Sequence, residues 1–231
     1  MKIIKIKLSI SNAYLVKGNS KSILVDEGAP NEADKILSAV QEAGVNPRDL
    51  TLLLHTHGHV DHAGSTAELK RRLGIPTAIH SLDAFMLRTG SNGIVKPRNF
   101  EAQIIKEIIP KSFEKSEPDL LINEELRLDE FGVAGKIVFT TGHTKGSISI
   151  LFDNQDAIIG DLMMGGIMGG ALFGTHPNYH YFIDDLDDLH ASMKKIIGMK
   201  PSTLYVGHGG PLMGKDAEGY FLKIMNGRES I

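Results

Sequence analysis

The sequence predicts an α/β fold in one continuous domain spanning residues 1–231, and three observations carry that expectation. Strand-like runs, some with a two-residue period and some wholly apolar, alternate with runs at helical spacing. No low-complexity linker divides them. Histidines and aspartates fall just after strand ends, where loops present side chains and the strands behind hold them in place.

The elements follow in chain order. Residues 1–8 alternate lysine with apolar residues, the pattern of an edge strand with charged gatekeepers and not the unbroken apolar core of a signal peptide. Runs 3–8, 13–16 and 22–26 predict an antiparallel meander, with Lys17, Gly18, Asn19 and Ser20 as a turn. Asn31 is expected to cap a helix carrying Ala33, Ile36, Leu37, Val40 and Ala43 at helical spacing, and Gly44 to stop it. Run 50–54 is apolar but for Thr51, as a strand covered on both faces should nearly be. A helix at 65–73 and a strand at 77–80 come next. Segment 85–117 is mixed, helical over 101–109, and reads as a lid or insertion. Strands are expected at 126–128, 136–140, 147–152 and 157–159, then a glycine- and methionine-rich loop over 163–174. A helix at 184–197, a strand at 203–206 and a helix after Gly214 close the chain.

Composition narrows the chemistry. Apolar residues make up 42% and charged residues 23%, enough to bury a sizeable core. A formal net charge of −3 gives no general basic surface for nucleic acid, and no apolar run reaches the roughly 18 residues of a membrane span. A small-molecule substrate and a cytoplasmic location are therefore expected, with no nucleic acid or membrane as partner. The sequence carries no signal for oligomeric state. There is no cysteine, so any metal must be held by nitrogen and oxygen.

Three of the ten histidines, His57, His59 and His62, lie within six residues and share that stretch with Asp61. Neutral imidazole is the usual protein ligand for zinc. With Gly58 between them, His57 and His59 can turn toward one ion, while Asp61 and His62 can face a second. Hydrolytic sites with two ions hold them roughly 3.5–4 Å apart, a span such a loop covers. Burying this many polar groups in a core would be costly without compensation.

The stretch Thr56-His57-Gly58-His59-Val60-Asp61-His62-Ala63-Gly64 resembles the T-H-x-H-x-D-H-x-G signature of the metallo-β-lactamase superfamily. The remaining elements of that family's pattern follow in order, at 141–147 around His143, at 159–161 ending in Asp161, and at 206–211 around His208. Segments 12–15 and 23–28 resemble its opening strands. The resemblance implies an αββα sandwich, two mixed β-sheets back to back with helices on both outer faces. It implies that His57, His59 and His143 hold one divalent ion, that Asp61, His62 and His208 hold another, and that Asp161 lies between them. Zinc is the expected metal, with manganese and iron as alternatives for such a nitrogen-and-oxygen site. Five neutral histidines and two aspartates set −2 against +4, so a shared hydroxide leaves a net charge of about +1. That hydroxide would attack an ester-like bond, and Asp61 would accept a hydrogen bond from it.

Departures from the family's branches narrow the choice. Without cysteine, the β-lactamases that use a thiolate ligand are excluded, and Asp161 is unlike β-lactamases in general. Glyoxalase II enzymes add a C-terminal helical domain, whereas twenty residues follow Pro211 in this 231-residue chain. Flavodiiron proteins carry glutamate where His59 stands, and the RNA-processing branches add domains. The expected activity is hydrolysis of a thioester or lactone by a glyoxalase-like or lactonase-like enzyme. The alternatives are a persulfide dioxygenase using one iron, a phosphodiesterase, or a non-catalytic metal-binding module. Lys145, His176, Tyr179 and His180 are the expected substrate contacts, the last three in the loop after Asp161 that should overhang the site; the sequence does not decide whether that loop or segment 85–117 acts as a lid.

Overall fold

Two mixed sheets organise the chain, one in each of two units, in the computed structural model, which describes residues 1–18 and 21–227. The first unit comprises Met1–Gly93 and Pro110–Ile137. Here β1 (Lys2–Lys7), β2 (Asn12–Lys17) and β3 (Ser22–Val25) form the expected antiparallel meander. The turn expected at 17–20 includes Asn19 and Ser20, which lie outside the described residues. Strands β4 (Leu50–Leu54), β5 (Thr77–His80) and β6 (Leu120–Ile122) add to the meander in parallel, giving the order β1-β2-β3-β4-β5-β6. The four leucines of β4 are buried, and Thr51, half-buried, donates its hydroxyl toward the Ser22 and Phe131 carbonyls.

Among the described residues this unit holds the α-helices α1 (Ala33–Glu42), α2 (Val60–Ala63), α3 (Thr66–Leu73) and α4 (Ala84–Thr89). Ile36 and Val40 of α1 and Leu69 of α3 share one apolar cluster with Leu15, Leu24 and Leu53 of the sheet. Gly44 ends α1 as expected, at φ +71°. The expected cap is corrected by one residue. Asn31 stands at φ +70°, and Glu32 occupies the N-cap position. The Glu32 carboxylate accepts instead from Ser9 N at 2.6 Å and Ala29 N at 2.8 Å, so it ties two loops together and caps no helix. The strand expected at 126–128 is reduced to one bridge, Arg127 with Lys136, before a 3-10 turn at Asp129–Phe131 bends the chain away.

The second unit comprises Ile94–Ile109 and Val138–Ile231. It holds α5 (Phe100–Ile108), α6 (Leu186–Gly198) and α7 (Gly214–Met225). The five-stranded sheet contains β7 (Gly135–Phe139), β8 (Ile148–Phe152), β9 (Asp156–Gly160), β12 (Thr203–Val206) and β13 (Leu212–Met213), in the order β13-β12-β9-β8-β7. Leu189, Met193 and Ile196 of α6 cluster with Ile159, Leu204, Val206, and Ala217 and Phe221 of α7. Among the described residues no helix is long and apolar enough to cross a membrane.

The glycine-rich segment expected as a loop is an antiparallel hairpin, β10 (Met164–Ile167) with β11 (Leu172–Asn178). Its glycines serve close approach: a Cβ on Gly165 would collide with the Gly174 carbonyl. Gly142 has the same constraint and φ +129° besides. A Cβ there would strike the backbone of Leu189, while its carbonyl accepts from Asp184 N at 2.8 Å and Asp185 N at 2.9 Å. Gly142→Ala is therefore expected to cost about 3 kcal/mol of stability. A urea midpoint within experimental scatter of the parent's would contradict this.

Candidate metal centre

In the first unit the histidine cluster lies at the end of β4, where the chain leaves the sheet after Leu54 and enters α2. His59 takes the N-cap position of α2, which places Asp61 and His62 in its first turn. Gly58 has no room for a side chain, since a Cβ would lie 2.8 Å from Met86 Cβ and 3.1 Å from the Asp83 carbonyl oxygen. The bend is held by side chains, with Val60 N donating to Asn92 Oδ1 at 2.6 Å and Ser11 Oγ donating to the Asp61 carbonyl at 2.5 Å. The ring centroid of His57 lies 4.8 Å from that of His59 and 4.2 Å from that of His62. His62 Nε2 lies 3.8 Å from Asp61 Oδ2. All three imidazoles are buried and the Asp61 side chain is partly exposed.

Asp26, just after β3, orients this cluster. Its Oδ2 accepts from His62 Nδ1 at 2.8 Å, and its Oδ1 accepts from Thr56 N at 2.8 Å. The Thr56 hydroxyl donates to Asp26 Oδ2 at 2.9 Å and so accepts from His57 Nδ1 at 3.0 Å. Both rings thus carry their proton on Nδ1 and a lone pair on Nε2, the state a metal ligand requires. Asp26 was not among the expected site residues. Its signal was a carboxylate ending a buried apolar strand. Asp26→Ala is expected to weaken metal binding by about 10- to 100-fold. Zinc affinity unchanged in competition with a chelator would refute that role.

Behind the cluster is a second buried network. His55 Nε2 lies 2.7 Å from Glu27 Oε2, with both side chains wholly buried, and His55 Nδ1 donates to the Ala78 carbonyl at 2.9 Å. Burial favours the neutral form of each group and holds the Glu27 carboxyl above its usual range. Burial also opposes charge on His55, but the Glu27 carboxylate outweighs it and raises the imidazole pKa. His55 is thereby held in place between Glu27 and the Ala78 carbonyl.

In the second unit Asp161 follows β9 directly and His208 follows β12, with Gly207 N donating to the Gly160 carbonyl at 2.8 Å. His143 lies in the loop between β7 and β8. Its Nδ1 donates to the Phe182 carbonyl at 2.8 Å, leaving Nε2 with the lone pair. Nε2 of His143 lies 3.5 Å from Asp161 Oδ2, and Nε2 of His208 lies 3.4 Å from the same oxygen. His180 joins them at 3.2 Å. His143, Asp161 and His180 offer ligand atoms within 4.8 Å of one another, a grouping able to hold a metal ion.

The remaining expected contacts separate. Lys145 is exposed beside the His143 loop, and His176 is exposed on β11, near Phe173. Tyr179 is fully buried in the core, and its hydroxyl is bonded to His190 Nε2 at 2.6 Å. His180 stands in the loop between β11 and α6, as expected, but is buried there against His143 and His208.

Residues 6–208 match the family model described as the metallo-beta-lactamase superfamily. Among curated proteins the chain is similar to the "probable metallo-hydrolase YflN" of Bacillus subtilis (strain 168), 26% identical over 97% of this chain and 90% of that one. It is also similar to the "hydroxyacylglutathione hydrolase GloC" of Haemophilus influenzae, 26% identical over 73% of this chain and 74% of that one. Among solved structures it is similar to the BLEG-1 B3 metallo-beta-lactamase, with a TM-score of 0.70, 20% identity, and 94% of this chain and 97% of that one covered. The structural likeness bears out the expected α/β fold of αββα type.

Proposed function

The chain belongs to the metallo-beta-lactamase superfamily of metal-dependent hydrolases, and from that premise we propose that it hydrolyses an ester-like bond, a thioester or a lactone, with two bound metal ions. In this reading His57, His59 and His143 hold one ion, Asp61, His62 and His208 hold the other, and Asp161 serves both. The observation that carries it is the engagement of Nδ1 in His57, His62 and His143 by oxygen acceptors, which turns three Nε2 lone pairs into ligands in advance. The donor set is all nitrogen and oxygen and rich in imidazole, which suits zinc.

When bound, the metal ions lower the pKa of a coordinated water to about 7 and stabilise negative charge developing on the substrate. The protein's own groups do the rest. Asp61, the one partly exposed member of its cluster, accepts a hydrogen bond from the attacking water at its carboxylate. Asp26 and the Phe182 carbonyl keep the imidazoles from rotating as charge moves. Lys145, exposed beside the His143 loop, pairs with an anionic part of the substrate. The similarity to a hydroxyacylglutathione hydrolase favours the thioester over the lactone.

The test is a panel of thioesters, lactones, phosphodiesters and β-lactams run on the zinc-, manganese- and iron-loaded protein. Turnover of a thioester or lactone, abolished by chelation, is the expected result. One iron per chain with oxygen consumption on persulfides would overturn it, as would inactivity on the whole panel with every metal.

A further inference from the structure

His180 lies in no ligand motif, yet it approaches Asp161 more closely than the two histidines that do. The residue is 4% exposed, and its ring centroid lies 4.5 Å from that of His143 and 5.1 Å from that of His208. Its Nε2 is 3.2 Å from Asp161 Oδ2, against 3.5 Å for His143 and 3.4 Å for His208. A third imidazole on one carboxylate oxygen acts either as a ligand or as a hydrogen-bond donor. Its tautomer decides between them.

Phe182 sets that tautomer. Its carbonyl oxygen accepts from His143 Nδ1 at 2.8 Å, and its N–H donates to His180 Nδ1 at 3.2 Å. An Nδ1 that accepts carries no proton, so the neutral His180 ring carries its proton on Nε2. The approach of His180 Nδ1 to the Phe182 carbonyl, which would need a proton on Nδ1, is longer at 3.4 Å and lies outside the usual hydrogen-bond range, so the N–H bond sets the tautomer. One residue's two peptide groups thus place neighbouring histidines in opposite states, His143 with a lone pair on Nε2 and His180 with a proton there.

We propose that His180 is a positioning residue for Asp161, donating Nε2–H to Oδ2 and fixing the orientation of the carboxylate, and that it is not itself a metal ligand. The proposal rests on the reading of Asp161 as a ligand given above. It makes His180 the counterpart in the second unit of what Asp26 does in the first. Such partners typically contribute 10- to 100-fold to metal affinity, by about that much when removed.

Two measurements test it. In the metal-free, ¹⁵N-histidine-labelled chain, NMR is expected to show His180 protonated on Nε2, the signal being assigned by its loss in His180→Gln. Protonation on Nδ1 would overturn the proposal. In zinc competition with a chelator, His180→Ala is expected to bind about 10- to 100-fold more weakly at unchanged stoichiometry. His180→Gln should recover most of that loss, because its amide Nε2 also donates. His143→Ala should lose an ion outright. Loss of an ion from His180→Ala would make His180 a ligand, and failure of glutamine to do better than alanine would reduce it to packing; either overturns the proposal. A wild-type chain that takes up no metal would overturn the proposed function and this role together, so the two failures remain distinct.

Discussion

Asp161→Ala is expected to remove metal from the protein and to lower kcat/KM by more than about 10³-fold, the scale of losing a principal stabiliser of transition-state charge. The reason is local. Three Nε2 atoms converge on one oxygen of this buried carboxylate at 3.2–3.5 Å. Without its charge, His143 and His208 lose the anionic ligand beside them, and His180 loses the acceptor for its Nε2–H. Because Asp161 follows β9 in a loop joined to the His208 loop by the Gly207–Gly160 bond, the fold should survive the change. The far-ultraviolet circular dichroism should match the parent's while metal content and turnover fall. Full metal occupancy with activity within tenfold of the parent would remove Asp161 from the centre of the account.

His55→Leu is expected to do the opposite, lowering stability while leaving the metal ligands in place. The substitution takes from Glu27, wholly buried, its ionic partner at 2.7 Å and leaves the carboxyl only the Thr66 hydroxyl at 3.1 Å. Breaking a buried pair from one side costs about 3–5 kcal/mol, because the remaining partner stays desolvated. For a chain of this size that is a fall in melting temperature of roughly 6–20 °C. The double variant His55→Leu with Glu27→Met should recover much of the loss, since well-packed apolar replacements for a buried pair are often neutral. Equal destabilisation in the single and double variants would mean that packing, and not the stranded carboxyl, sets the cost.

Residues differ in how far their roles could be read from the sequence. The β4 run was legible because burial of its leucines leaves a nearly continuous apolar stretch, and His57, Asp61 and His62 because ligands of one centre crowd a short segment. The β10–β11 hairpin was not. Glycine usually marks a loop, yet here it permits strands to pass closer than any side chain allows, as at Gly165. Asp26 and Phe182 were missed for another reason. Each acts through a bond to a residue 36 or 39 positions away, and no local pattern encodes such a partner. Tyr179 and His180 looked alike as neighbours in a polar-aromatic run. Burial separates them, one into the α6 core and one onto Asp161.

The most direct test of the central claim is the zinc content of the wild-type chain and of His59→Ala, each stripped with chelator, reloaded and freed of excess metal. About two ions per chain are expected in the wild type and fewer in the variant. Absence of tightly held metal in the wild type, or equal stoichiometry in the two proteins, would contradict it.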